Sequence, residues 1–178
     1  EFAFKKAKQL KIKPAELYEI ILQSYLFLGF PRMLEAAKLF HAAYPEFDPK
    51  TESEPFDMNQ TQNWYDRGIT LCKDVYKEKY EPLEKVVLSL SPEIFHWMVF
   101  EGYGKVLSRK NLSAPVRELS VVAFLMMENR QEQLRAHIRG ALNVGADKKL
   151  LDDVIETIGD AAGEGYASAR KIYKALVR

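Results

Sequence analysis

The chain has 178 residues, of which 47% are hydrophobic and 29% are charged, so it is long enough for one domain with a sizeable buried core. Its 26 basic and 25 acidic residues give a net charge of +1, which argues against a binder of nucleic acid or of membrane surfaces, since such proteins need a concentrated positive face. No run of about eighteen apolar residues is present, so we predict no membrane-spanning helix.

The single cysteine, Cys72, provides neither a disulfide framework nor a thiolate metal site. This cysteine usage is typical of a reducing compartment, and we predict a cytoplasmic protein. No positively charged and then apolar signal segment opens the chain.

Residues 1–44 are predicted to form an N-terminal helical hairpin. A short helix or arm over residues 2–12 precedes Pro14, which suits a first helical turn because its ring has no N–H to leave unpaired. Gly29-Phe30-Pro31 interrupts the apolar spacing and should separate the two helices of the hairpin, the second of which ends near Tyr44.

Residues 45–60 are rich in proline and acidic side chains and are predicted to form a surface connection. The segment is longer than most connections inside a compact domain. It is either a plain linker or a lid over a pocket, and the sequence leaves both interpretations open.

Residues 61–178 are predicted to form the core of the same domain. Helical spacing of apolar residues covers residues 61–79 and 80–90, and Ser91 begins a further helix. Gly102 and Gly104 should then loosen the backbone before the next helix.

The central pair of helices follows. Ser113 is expected to cap the first helix with its hydroxyl, and apolar spacing continues to Met126. A second helix resumes near Leu134 and stops at Gly145. Two more helices complete the chain, and since no stretch alternates with a period of two, we predict an all-α single domain of about seven to nine helices covering residues 1–178.

This central pair carries one carboxylate and one imidazole, Glu118 and His137. A glutamate in a first helical turn suits the helix dipole, and a lone helical histidine is usually a core or rim residue with one hydrogen bond. The other two histidines, His41 and His96, are not spaced as a helical ligand pair with His137 or with each other, so we predict no metal site.

The sequence resembles the carboxymuconolactone decarboxylase family, which includes the alkylhydroperoxidase D-like proteins. The matching pieces are Tyr103-Gly104-Lys105-Val106-Leu107-Ser108-Arg109, Leu112-Ser113, Arg117-Glu118-Leu119 and His137-Ile138-Arg139-Gly140-Ala141-Leu142-Asn143-Val144-Gly145. The resemblance implies an alkylhydroperoxidase D-like helical bundle that forms a homo-oligomer, often a trimer or hexamer, with the site near a subunit boundary.

One departure separates this chain from the peroxidase branch, which carries Cys-x-x-Cys ahead of the histidine. Arg130 and Gln133 stand at those two places, and neither side chain can take part in thiol exchange. The run Glu132-Gln133-Leu134-Arg135-Ala136-His137 is closer to the decarboxylase branch.

The resemblance implies a cofactor-independent lyase that acts on a small carboxylated or lactone substrate. His137 would transfer a proton and Glu118 would orient the imidazole or relay its proton. Arg139 or Arg117 would bind a substrate carboxylate, because guanidinium groups hold carboxylates through paired hydrogen bonds. Arg130 and Gln133 would face the same site and add substrate contacts, or would only fill space.

Two rival functions remain open at this point. The chain could be an antioxidant peroxidase that uses Cys72 and an external thiol, or a non-catalytic helical scaffold that retains the fold without the chemistry.

Overall fold

The computed structural model describes residues 2–177, and within that range the secondary structure is helical, with no strand. The predicted all-α fold is therefore confirmed. The α-helices are α1 (Phe2–Gln9), α2 (Pro14–Ala43), α3 (Pro49–Glu52), α4 (Thr61–Tyr76), α5 (Tyr80–Leu90), α6 (Pro92–Trp97), α7 (Ala114–Met127), α8 (Gln131–Asn143), α9 (Lys148–Ile158) and α10 (Glu164–Leu176). A π-helix spans Met98–Leu107, and short 3-10 turns span Met58–Gln60, Lys77–Lys79 and Gly159–Ala162.

The N-terminal part is built around α2, which is broken where the sequence predicts. Gly29 has φ 80° and ψ 160°, a conformation that residues with a side chain rarely adopt, and Pro31 follows inside the helix. The halves of α2 share a small apolar cluster, separate from the main core, whose buried members are Ile21, Met33, Phe40, Tyr44 and Phe47.

The connection over residues 45–60 contains α3 and the turn Met58–Gln60, and hydrogen bonds tie its backbone to the core. Arg109 donates to the carbonyl oxygen of Glu54 at 3.0 Å and to Oγ of Ser53 at 2.6 Å. Asn111 donates to the carbonyl oxygen of Glu52 at 2.9 Å. These bonds hold the segment against the residues that follow the π-helix.

The π-helix packs closely on α4, and the glycines at this contact act differently from our prediction. A Cβ atom on Gly104 would collide with the carbonyl oxygen of Trp64. Gly104 therefore allows the backbones of the π-helix and of α4 to approach each other closely. It lies inside a helix and does not loosen the chain as we predicted.

The main core surrounds α7 and α8. Five apolar side chains of α7 are buried: Leu119, Val121, Val122, Leu125 and Met126. They meet the fully buried Leu134 and Ile138 of α8, so most of the stabilisation of this pair comes from removing apolar surface from water. Ser113 does precede α7, but its side chain makes no capping hydrogen bond, which corrects that prediction.

None of the helices within residues 2–177 is long and apolar enough to cross a membrane.

Candidate active site

Glu118 and His137 meet in the core although they lie on different helices. Nδ1 of His137 is 2.8 Å from Oε2 of Glu118, and the two residues are 6% and 3% exposed. A hydrogen bond of this length between a carboxylate and an imidazole fixes which ring nitrogen faces the acid. We call this pair the Glu–His couple.

Aromatic rings from two other helices hold the imidazole in place. Phe27 of α2 meets the His137 ring edge to face, with centroids 5.7 Å apart and planes at 90°. Tyr76 of α4 meets it at 6.4 Å. Nε2 of His137 has no hydrogen-bond partner in the part of the chain that the structure describes, so this nitrogen remains available for proton transfer.

Gly140 makes room for the couple on α8. A Cβ atom at this position would lie 2.9 Å from Oε2 of Glu118 and 2.7 Å from Cγ1 of Val75. The absence of a side chain therefore allows α8 to approach both α7 and α4, which brings His137 within reach of Glu118.

A buried pair of phenols lies beside the couple. The Tyr103 hydroxyl donates a hydrogen bond to the Tyr76 hydroxyl at 3.0 Å. Burial raises the pKa of both tyrosines, and the negative charge of Glu118 raises each pKa further. Both phenols therefore stay protonated at neutral pH and can act as hydrogen-bond donors.

Cys72 is near the couple but is poorly suited to redox chemistry. It is 0% exposed, and burial raises the pKa of its thiol to about 12, with a further increase caused by the charge of Glu118. Since the thiolate is the reactive form, a thiol with this pKa is inert near neutral pH. The sequence-based alternative of a Cys72-dependent peroxidase is therefore disfavoured by the structure.

A cavity of about 270 Å³ lies beside α8, and its lining includes residues before and after His137 in the chain. We call it the α8 cavity. Ala136 and Arg139 line it, and Tyr76 forms a wall that also meets the His137 ring. Lys79 also lines it. The predicted substrate-binding residue Arg139 thus lies in a cavity that shares a wall with the imidazole.

Arg117 points away from the couple. Its Nη2 donates to Oε2 of Glu19 at 2.9 Å, and its Nη1 donates to Oε1 of Gln23 at 3.1 Å. Arg109 binds the same Glu19 carboxylate with two nitrogens. Arg117 is 2% exposed, so this guanidinium holds α2 against α7 and is not free to bind a substrate at His137, which corrects the prediction.

Arg130 and Gln133 lie on the surface. Arg130 is the residue that precedes α8, and Gln133 belongs to its first turn, where the side chains are exposed. Neither has a hydrogen bond to the couple among residues 2–177. Helical spacing predicts both on the side of His137, but Arg130 and Gln133 precede Leu134, the first buried residue of α8, and are exposed.

Sequence reasoning missed the aromatic surroundings of the couple. Phe27 and Tyr76 come from two distant segments, and only the fold brings them to His137. Tyr103 stood inside a motif that marked the family resemblance, which was the one signal for its place near the site. Within the described residues, no group of three His, Cys, Asp or Glu side chains is arranged to hold a metal ion.

Comparison with protein families gives one match for this region. The model of the carboxymuconolactone decarboxylase family matches residues 92–176, which include Tyr103, Glu118, His137 and Gly140. Phe27 and Tyr76 lie outside the matched range.

Three curated proteins are similar to the chain at low identity. Peroxisomal protein 2 of Schizosaccharomyces pombe is 27% identical over 135 residues, and its counterpart in Saccharomyces cerevisiae is 23% identical over 164 residues. The matches cover 75% and 79% of this chain but only 62% and 58% of those relatives. The 4-carboxymuconolactone decarboxylase of Acinetobacter baylyi is 29% identical over 100 residues, which are 55% of this chain and 73% of the relative.

Proposed function

We propose that this chain is a member of the carboxymuconolactone decarboxylase family, whose model matches residues 92–176, and that it is a cofactor-independent lyase. Its substrate would be a small carboxylated compound or lactone, and the Glu–His couple would perform the acid–base chemistry. The observation that carries the proposal is the 2.8 Å contact between Glu118 and His137, which leaves Nε2 of a buried imidazole without a partner.

The couple fits the proton demands of a decarboxylation. The bond between the substrate carbon and its carboxylate breaks, carbon dioxide leaves, and the electron pair moves into the adjacent carbonyl or enol lactone. His137 in its protonated form then gives the proton on Nε2 to the carbon, and a proton from solvent restores the imidazolium. Glu118 accepts the hydrogen bond from Nδ1 throughout, and it stabilises the ring while the ring carries its positive charge.

The α8 cavity supports a substrate that carries a negative charge. Arg139 and Lys79 line it against a single carboxylate, Glu132. A substrate carboxylate held by Arg139 would place the rest of the molecule near Tyr76, which lines the cavity and whose ring centroid lies 6.4 Å from that of His137.

Replacement of His137 tests the proposal directly. We expect His137→Ala to lower the rate of carbon dioxide release roughly 10²- to 10⁴-fold, the usual contribution of a positioned acid or base. The name of the bacterial relative makes 4-carboxymuconolactone the first compound to assay, followed by other small carboxylated lactones.

His41→Ala is the matched control, because His41 is exposed in the last turn of α2. Its turnover should equal that of the unchanged protein. Equal turnover of both variants would remove His137 from the mechanism. If the unchanged protein releases no carbon dioxide from any compound of the panel, the non-catalytic scaffold becomes the better reading.

Thiol labelling separates the lyase from a peroxidase. Burial raises the pKa of the Cys72 thiol to about 12, so the thiolate is scarce at pH 8, and the side chain is fully buried. We expect an aromatic disulfide reagent to label Cys72 only after the chain is unfolded in guanidinium. Rapid labelling of the native protein, together with peroxide turnover that Cys72→Ser abolishes, would favour the peroxidase.

Self-association is part of the same proposal. Four large apolar side chains on α5 and α6 are strongly exposed: Val86, Leu90, Ile94 and Trp97. A surface of this kind is typical of a contact between subunits, and we expect a trimer or hexamer by analytical ultracentrifugation. A monomer at micromolar concentration would argue against it.

The location of the protein stays a prediction. A cytoplasmic protein agrees with the cysteine usage, while the two yeast relatives are named as peroxisomal. Imaging of a tagged chain beside a peroxisomal marker would separate the two compartments.

A further inference from the structure

A cavity outside the Glu–His couple lies where α1 packs on the end of α2, and we call it the α1–α2 cavity. Its volume is about 310 Å³, at the lower end of the range for small-molecule sites. Four apolar side chains and two lysines line it: Phe4, Leu39, Ala42, Ala43, Lys5 and Lys8. None of them belongs to the couple or to the α8 cavity, so this site is independent of the proposed lyase chemistry.

The apolar wall of the cavity is anchored through Phe4. The Phe4 ring meets Phe40 at a centroid distance of 6.0 Å and Tyr44 at 6.2 Å, both edge to face. Phe40 and Tyr44 are buried in the apolar cluster of the hairpin. Leu39 is 44% exposed and Ala42 is also exposed, which leaves apolar surface in contact with water. An apolar ligand that covers this surface would remove it from water, which favours binding.

The two lysines give the cavity a positive charge without a counterion. Both side chains are exposed, and neither forms an ion pair within residues 2–177. Lys5 and Lys8 are three positions apart in α1, so they lie on one face of the helix. Nζ of Lys8 lies 4.7 Å from the centroid of the Tyr44 ring, a cation–π contact that positions the ammonium group without neutralising it. No acidic residue of the described chain lines the cavity.

The charge around the cavity has the same sign. Residues 2–13 contain five lysines and no acidic residue, and all five lysines are exposed. In the rest of the chain acidic residues outnumber basic ones, so the total of +1 does not reveal this local excess. The positive charge is therefore concentrated on the segment that contains the cavity, and it favours the approach of an anion.

We propose that the α1–α2 cavity binds a single-chain anionic amphiphile, which is an alkyl chain with one negatively charged head group. The ammonium groups of Lys5 and Lys8 hold the head group, as point charges that attract a carboxylate or a phosphate. The alkyl chain covers Leu39 and Ala42 and packs against Phe4. A neutral apolar compound would leave the two cations without a counterion, and a small polar anion would leave the apolar wall in water.

Nuclear magnetic resonance of alanine methyl groups locates the ligand on the whole chain. Sodium octanoate, used below the concentration at which it forms micelles, should shift the Ala42 and Ala43 methyl resonances saturably. Ala167 is exposed on α10 and its resonance should not move. Hexanoate should bind roughly tenfold more weakly, because two fewer CH₂ groups are buried. 1-Octanol has the same chain without a charge and should bind roughly three- to tenfold more weakly than octanoate.

Two pairs of lysine substitutions separate a site at this cavity from a general effect of charge. Lys5→Gln combined with Lys8→Gln removes the cations that line the cavity and should weaken octanoate binding roughly three- to tenfold, measured by calorimetry. Lys6→Gln combined with Lys11→Gln removes the same charge from the same segment but not from the lining. This control should change the affinity by less than about twofold.

A substitution that fills the cavity tests its apolar part. Ala42→Leu enlarges a side chain that lines the cavity at an exposed position, so the fold should tolerate it while octanoate binding falls at least roughly tenfold. Ala167→Leu adds the same group at an exposed position of α10 and should leave binding unchanged. His137→Ala should bind octanoate as the unchanged protein does, whether or not it retains turnover.

Three results would overturn the inference. The Ala42 and Ala43 methyl resonances do not move at millimolar octanoate, octanol binds as tightly as octanoate, or the two pairs of lysine substitutions lower the affinity equally. Vesicles that mix phosphatidylserine with phosphatidylcholine identify the alternative occupant. Sedimentation of the chain with these vesicles, without any binding of octanoate, would mean that the lysines bind a membrane surface and that the cavity binds no free amphiphile.

Discussion

Arg117 and Glu118 are consecutive residues of α7, yet they belong to two different buried charge clusters. Arg117 faces α2 and joins Glu19, Gln23 and Arg109, so both of its terminal nitrogens have protein partners. Glu118 faces α8 and meets His137 alone, and the far nitrogen of that imidazole has no partner in the described residues. In the first cluster only Nε of Arg117 lacks a partner among the described residues, and it carries no role in proton transfer, whereas the second cluster leaves Nε2 of His137 unpaired.

The difference between the clusters separates a structural role from a chemical one on the same helix. A buried ion pair contributes to a specific arrangement of helices and becomes very unfavourable when one partner is removed. A buried acid–base couple with a free nitrogen is suited to receive a substrate. We therefore expect substitutions in the Arg117 cluster to lower mainly the free energy of unfolding. Substitutions in the Glu–His couple should lower mainly the turnover.

The largest effect on stability is expected from Glu19→Gln. The carboxylate of Glu19 is fully buried and balances two guanidinium groups, so its loss leaves Arg109 and Arg117 without a counterion. We expect the free energy of unfolding to fall by about 3–5 kcal/mol, measured by urea denaturation. Glu118→Gln should cost only about 1 kcal/mol, because glutamine can still bond to His137, but it should abolish most turnover.

Glu35→Gln is the control for this pair of substitutions, since Glu35 is exposed on the same helix as Glu19. Its unfolding free energy should match that of the unchanged chain within about 0.5 kcal/mol. The contrast between the clusters fails if Glu118→Gln destabilises the fold as much as Glu19→Gln does.

The positions of the helices could be predicted from the sequence more completely than the contacts of the two buried charge clusters. The break at Gly29 and the start of α6 at Ser91 follow from local chemistry, because glycine adopts a positive φ and a serine hydroxyl accepts the N–H of Ile94. Such signals lie within a few residues of one another. They are therefore visible without knowledge of the fold.

The composition of the site depends on contacts between residues far apart in the chain. Arg117 reads like a surface charge or a substrate ligand until Glu19, 98 positions earlier, is brought against it. Glu118 and His137 were found only because a family motif marks both, and their partner Phe27 carries no motif at all. The role of each residue depends on the direction of its side chain and on the helix that this side chain meets. The spacing of residues along one helix does not determine which neighbouring helix lies on each of its faces.

Gly140→Ala is expected to lower stability less than Glu19→Gln does, and to disturb only the Glu–His couple. The new Cβ would press on Oε2 of Glu118 and on Cγ1 of Val75, so either α8 or the carboxylate must shift. We expect a loss of about 1–3 kcal/mol and a loss of turnover, while the Arg117 cluster stays intact.

Gly102→Ala provides the matched control. Gly102 is also helical, and a Cβ atom there meets nothing within 4 Å. This substitution should be neutral or stabilising by up to about 1 kcal/mol, because alanine favours the helix. If both glycine variants retain full turnover, the tight approach of α8 to Glu118 is not needed for the chemistry.

The smallest effect is expected at the start of α7, the helix that carries both clusters. Ser113 precedes it but makes no side-chain capping bond, whereas Asp147 caps α9 by accepting the N–H of Leu150 at 3.0 Å. Ser113→Ala should change the unfolding free energy by less than about 0.5 kcal/mol, and Asp147→Ala should lower it by about 1 kcal/mol. A larger cost for Ser113→Ala would mean that a local cap fixes the direction of Arg117 and Glu118. A smaller cost for Ser113→Ala than for Asp147→Ala would mean that the buried apolar face of α7 fixes the direction of these two side chains. One packed helix then positions both the Arg117 cluster and the Glu–His couple.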